Sequence, residues 1–155
     1  MKTLLYVLCF CLVSVSIAQE TILEPVDVEN TSKKDPVYEY LLQHYKPISD
    51  KEPILSDGVV DCGFTQTFEN GLSYEKRNCA DAYLASGEVL TVTNPDRTSI
   101  VKWVESLNAI FTEHKGHNGW NFDQSEYRPL SNVPGAFFEI YRYKNSTSIL
   151  VMSGC

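Results

Sequence analysis

Three features of the sequence predict an α+β domain, a small antiparallel sheet packed by one main amphipathic helix (about 95–114) and a shorter N-terminal helix (about 36–46). The first is an apolar stripe at helical period, formed by Ile100, Trp103, Val104, Leu107, Ile110 and Phe111. The second is a set of short β-branched and aromatic runs separated by Gly, Pro, Asn and Asp. The third is Asn70 followed by Gly71, a strong hairpin signal because a type I′ turn needs positive φ at two successive residues. About five strands are expected around the main helix.

Taken in order, residues 1–18 have the layout of a secretory signal peptide. Lys2 supplies the positive start, Leu4 to Val13 is an apolar run, and Ser16 and Ala18 are small residues before a cleavage point. That run is far shorter than the roughly 20 residues a membrane-spanning helix needs. The expectation is an exported protein, secreted or periplasmic, with no membrane span. Loss of Lys2 with the leader takes the formal net charge from −7 to −8. A chain of that charge, with its basic pairs Lys33–Lys34 and Lys76–Arg77 isolated, repels phosphate backbones and is not expected to bind nucleic acid.

Residues 19–35 mix Glu, Asp, Asn, Ser and Lys without periodicity and read as a disordered acidic lead-in to a single domain over 36–155. Asn30 with Ser32 and Asn145 with Thr147 match the N-glycosylation pattern, used only in a eukaryotic source. Asp35 and Pro36 start the first helix, with Val37, Tyr38, Leu41, Leu42 and Tyr45 at helical spacing, and Pro47 stops it. Residues 47–61 read as a loop with at most a short strand at Val59 and Val60.

Centring a two-residue turn on Asn70 and Gly71 pairs residues whose numbers total 141, which sets Cys62 opposite Cys79 in a non-hydrogen-bonded pair. Such pairs approach to about 4.5 Å between Cα atoms, within disulfide range, so a Cys62–Cys79 bridge is expected. A helix over Ser73–Ser86 is the competing reading. Cys9 and Cys11 leave with the signal, and Cys155 is left over as a free thiol, an alternative bridge partner or the link of a disulfide-linked dimer.

Val89 to Thr93 alternates as a strand leading into the main helix, whose Asn94 or Asp96 cap, Pro95 and terminal Gly116 suit their places. Trp120 to Tyr127 reads as one strand, and Phe137 to Tyr143 and Ser148 to Met152 as two strands around a turn at Lys144 to Thr147. No sequence repeat is evident.

Signatures of common enzymes are absent: no Gly-x-Ser-x-Gly elbow, no phosphate loop, no dinucleotide fingerprint, no paired-cysteine metal ribbon. No cofactor is implied. Two functional readings remain. A small binding protein of inhibitor, immunity or ligand-binding type would meet a protein or glycan ligand through Tyr141, Arg142, Tyr143 and Trp120, residue types that dominate interface hot spots. A secreted hydrolase or metal-binding protein would instead centre on His114 and His117, with Glu113 for catalysis or Asp123 completing a metal shell. The ordinary roles of a helix-end His and a loop His weigh against the second reading, so binding is preferred to catalysis.

Overall fold

Pro36 has no N–H to lose in a first helical turn, and helix α1 (Pro36–His44) begins on it. The structure, a computed structural model, describes residues 20–32, 34–56, 60–78, 87–111, 118–121, 123–129 and 135–154. The second helix, α2 (Arg97–Asn108), starts where Asp96 accepts the Ser99 N–H at 2.5 Å, an N-cap bond, while Ser99 Oγ donates back to the Asp96 carbonyl at 2.9 Å. Its last turn tightens into i→i−3 bonds over 109–111, so the regular helix ends earlier than the sequence predicts. Helix α2 buries its expected stripe, whereas α1 is rotated from expectation: Leu42 is exposed, Tyr38 and Tyr45 are half-buried, and Tyr40 takes the inward place. Val37, Tyr40 and Leu41 of α1, and Ile100, Trp103, Val104 and Leu107 of α2, join one core in which the Tyr40 and Trp103 rings meet edge to face, centroids 5.5 Å apart.

The strands are β1 (Glu52–Ser56), β2 (Val60–Phe68), β3 (Leu72–Arg77), β4 (Gly87–Thr93), β5 (Asn118–Trp120), β6 (Glu126–Pro129), β7 (Gly135–Arg142) and β8 (Ser146–Gly154). They form one antiparallel sheet in the order β1-β2-β3-β4-β8-β7-β6-β5. The protein is therefore mixed α+β but mostly sheet. Where about five strands were expected, the described residues form eight. β1 hides behind Pro53, which sequence reading takes as a loop signal, and the expected strand over 120–127 is two strands, β5 and β6, between which the Gln124 N–H donates to the Asn121 carbonyl.

β3 replaces the competing helix over 73–86 as far as Arg77, beyond which 79–86 lie outside the described residues. The β2–β3 register also differs from expectation. Asn70 and Gly71 do take positive φ, 61° and 72°, but they follow Glu69 in a three-residue 3-10 turn, so Phe68 pairs with Leu72 and Gly63 with Arg77. The cause is the core. Phe68, Leu72 and Tyr74 are fully buried, and only a pairing that sets even-numbered residues opposite even-numbered ones puts them on one face. Cys62 is thus opposite Asn78, whose N–H donates to the Cys62 carbonyl at 2.8 Å, and not opposite Cys79.

The lead-in is also more ordered than its composition predicts. Leu23 and Val26 are buried, and their N–H groups donate to Ser99 Oγ at 3.2 Å and Ser106 Oγ at 2.9 Å, so the segment runs along α2. Thr21 adds backbone bonds with Asn94 and Asp96, and the Ser32 N–H donates to Glu39 of α1.

The sheet has one covered and one open face. Three cross-strand rows lie on the covered face: Leu72, Val92, Thr147 and Arg142; Tyr74, Leu90, Ile149 and Ile140; Lys76, Glu88, Val151 and Phe138, with Arg142 exposed and Lys76 half-buried at the row ends. Every side chain described on the opposite face, including Thr65, Val89, Thr91, Phe137, Leu150 and Met152, is half-buried or exposed. The rows also expose a symmetry absent from the residues themselves. Each half of the chain is a helix followed by four consecutive antiparallel strands, and the halves join where β4 meets β8. A half-turn about the Leu90–Ile149 pair exchanges Glu88 with Thr147 and Lys76 with Arg142.

Candidate functional site

The β7–β8 hairpin closes on Lys144 and Asn145, with the Tyr143 N–H donating to the Ser146 carbonyl at 2.8 Å. Its tip is tied to the strand-to-helix connection, because Asn94 N–H donates to the Asn145 carbonyl at 2.7 Å. Between this tip and the first turn of α2 lies a cleft of about 200 Å³, lined by residues that include Arg97, Ile100, Arg142, Tyr143, Lys144 and Thr147. Its lining contains three cations and no carboxylate, in a chain whose formal net charge is −7. Arg142 donates through Nη2 to the Gln124 carbonyl at 2.6 Å. Burial, followed by the positive charge of Arg97, lowers the Arg142 pKa, and Asp123 opposes this. Two guanidinium groups held close enough to repel are favourably placed for an anion.

Strand alternation divides the aromatic surface expected from the sequence. Tyr141 points to the open face, 47 % exposed, and its hydroxyl donates to Glu139, which raises the Tyr141 pKa together with a smaller effect of burial. Arg142 turns to the opposite side, into the row that faces the helices, and Tyr143, 63 % exposed, borders the cleft. Trp120 belongs to neither. Its ring lies against Tyr127, centroids 4.8 Å apart, and its Nε1–H donates to Glu105 of α2 at 3.1 Å. The structure therefore brings together Arg142 and Tyr143, adds Arg97 and Lys144, and separates Tyr141 and Trp120 from them.

The residues of the catalytic and metal reading, Glu113, His114 and His117, lie outside the described residues. Asp123 is described. Its carboxylate accepts from the Ser125 N–H at 3.0 Å and hydroxyl at 2.6 Å, bonds that lower its pKa and make it the organiser of the β5–β6 turn. Among the described residues no group of three His, Cys, Asp or Glu side chains is placed to hold a metal. Asn145 sits exposed at the hairpin tip, and the Asn30 side chain donates to Asp27 Oδ2 at 2.7 Å. Cys62 is buried and disulfide-bonded, and its partner falls outside the described residues, as do Cys79 and Cys155.

A second polar cluster, missed in the sequence, occupies the matching place in the first half. Asp35 precedes α1 in a left-handed conformation and makes no capping bond; Glu88 of β4 caps the helix from across the core instead. Its carboxylate accepts from Val37 N–H at 3.3 Å, Tyr38 N–H at 3.0 Å and Tyr74 O–H at 2.9 Å. Burial raises the Glu88 pKa, and those hydrogen bonds with the nearby Lys76 partly oppose the rise; Lys76 itself pairs with Asp35. The available signal was parity, since Glu88 shares the inward-facing alternation of Leu90 and Val92. No family model, curated protein or solved structure matches the chain.

Proposed function

We propose that this chain is an exported binding protein that meets its ligand at the end of the sheet formed by the β7–β8 hairpin tip and the first turn of α2. The observation that carries the reading is Tyr143, a large aromatic 63 % exposed beside a cleft lined by Arg97, Arg142 and Lys144. Exposed aromatic rings and guanidinium groups are the side chains that most often concentrate binding energy. Export rests on the signal-like residues 1–18; among the described residues no helix is long and apolar enough to cross a membrane. A bridge between Cys62 and Cys79 suits that compartment, because the Asn78 N–H at 2.8 Å from the Cys62 carbonyl brings the chain to within one residue of Cys79.

A photo-crosslinking residue at position 143 tests the surface, with a second at Leu42, an exposed apolar residue on α1, as the control. Mature protein of each kind is illuminated in extracellular fluid from its source. A discrete adduct at 143 and none at 42 is the expected result. Equal labelling at the two positions, or labelling at neither, would remove the hairpin tip as the contact surface.

A further inference from the structure

The two halves of the sheet treat equivalent places differently. In the first half, the row Lys76–Glu88 lies against the start of α1, and the Glu88 carboxylate fills the space with three hydrogen bonds from Val37, Tyr38 and Tyr74. In the second, the half-turn about Leu90–Ile149 puts Arg142–Thr147 in the matching row, against the start of α2. The cation has its counterpart, Arg142 for Lys76. The sheet carboxylate does not, because Thr147 stands where the first half has Glu88, and α2 is capped instead by Asp96, which accepts the Ser99 N–H at 2.5 Å. That place opens instead into the cleft of about 200 Å³, and Arg97 and Lys144 bring two further positive charges to its lining.

We infer that this cleft is an oxyanion site, in which the carboxylate or sulfate of a small acidic sugar supplies beside Arg142 the negative charge that Glu88 supplies beside Lys76 in the other half. Three cations in a lining without a carboxylate supply the charge; Arg142, which donates to the Gln124 carbonyl and is drawn by Asp123 outside the lining, is repelled by Arg97, and an anion that enters relieves that repulsion. The small volume limits the buried part of the ligand to a single charged group and the ring that carries it. Tyr143, exposed at the rim, offers a flat apolar face for that ring, and the Asn145 side chain offers an amide for its hydroxyls. The inference rests on the hairpin-tip binding reading for its location, and adds the class of ligand.

The test is a titration of isotopically labelled mature protein, made in a host that does not N-glycosylate, followed by amide NMR at low ionic strength. The probes are glucuronate, glucose 6-sulfate, inorganic sulfate and neutral glucose. The expected result is saturable shifts with the two acidic sugars, centred on residues 94–97 and 142–147, and none with glucose. Arg97→Gln and Arg142→Gln are expected to weaken the acidic sugars at least about tenfold, the scale of a lost charge-assisted hydrogen bond. Thr147→Glu, which restores the carboxylate of the other half, is expected to weaken them at least about tenfold more than the uncharged Thr147→Gln of equal size.

Binding that is indifferent to Thr147→Glu in a folded variant, or no saturable shift with any anion, would overturn the site. Inorganic sulfate binding as tightly as the acidic sugars would overturn the assignment to a sugar. A failed titration alongside specific crosslinking at position 143 removes this inference and leaves the binding reading standing.

Discussion

Glu88 couples the helix α1 to the sheet through one side chain, and its protonation makes that coupling depend on pH. Its pKa in the fold is raised above 4.5, first by burial, so the unfolded chain ionises before the folded one as pH rises. Between 4.5 and the raised value the folded state holds the extra proton, and unfolding free energy falls as pH increases. Urea denaturation at steps from pH 4.5 to 7 is expected to follow this fall in the native protein and to be flatter in Glu88→Gln. Equal slopes would mean that Glu88 titrates alike in both states. Leu23 is the other informative residue, buried at 2 % exposure within a stretch whose composition reads as disordered. Leu23→Ala is expected to cost about 2–5 kcal/mol, as for a core leucine; a loss within about 0.5 kcal/mol would return the segment to the status of a lead-in. Both residues resist sequence reading for one reason. Their partners, Val37 and Tyr38 for Glu88 and Ser99 for Leu23, lie far along the chain, and no local pattern encodes a distant pairing.

The two helices were the most legible elements, and what fixed them is local. Pro36 at the first position of α1, the Asp96 cap of α2 and the apolar stripes all act within a turn or two. Asp96→Ala is expected to lower stability by about 1 kcal/mol, the usual value of an N-cap. Trp103→Ala, which removes the ring joining α2 to Tyr40 of α1, is expected to lower it by about 3–5 kcal/mol. Thermal and urea melts of the two variants test the order as well as the size; a cap variant less stable than the Trp103 variant would contradict the packing. The strands were less legible, and the β2–β3 hairpin explains why. Asn70 and Gly71 correctly signal positive φ but do not specify how many residues the loop contains. The deciding information was the shared parity of Phe64, Phe68, Leu72 and Tyr74, a pattern spanning both strands. With the register shifted by one, a Cys62–Cys79 bridge becomes a link to the residue just beyond the paired strand. Peptide mapping without reductant is expected to recover those two cysteines together, and a Cys62–Cys155 peptide would refute it.

At the scale of the molecule, the halves meet along β4 and β8, and residues of both contribute to one core. Fragments 20–94 and 95–155 are therefore expected to copurify when made together and to be insoluble when made singly. A soluble, cooperatively melting fragment would show that one half folds alone. The candidate site follows the same division. Tyr143 and Arg142 were legible as residue types, whereas Arg97 and Lys144 became part of the site only when the hairpin tip came to rest against α2.

The ends of the sheet have a consequence for how the protein behaves in a crowded fluid. Strand addition, the elementary event of amyloid growth and of strand exchange, requires a long straight border of free backbone donors and acceptors. β1 borders one end with Pro53, which lacks a donor, and with a register shift between Pro53 and Leu55 that bends it. β5 borders the other with three residues. Among the described residues, neither border offers a long straight run of free donors and acceptors, so addition of a further strand at either one is disfavoured.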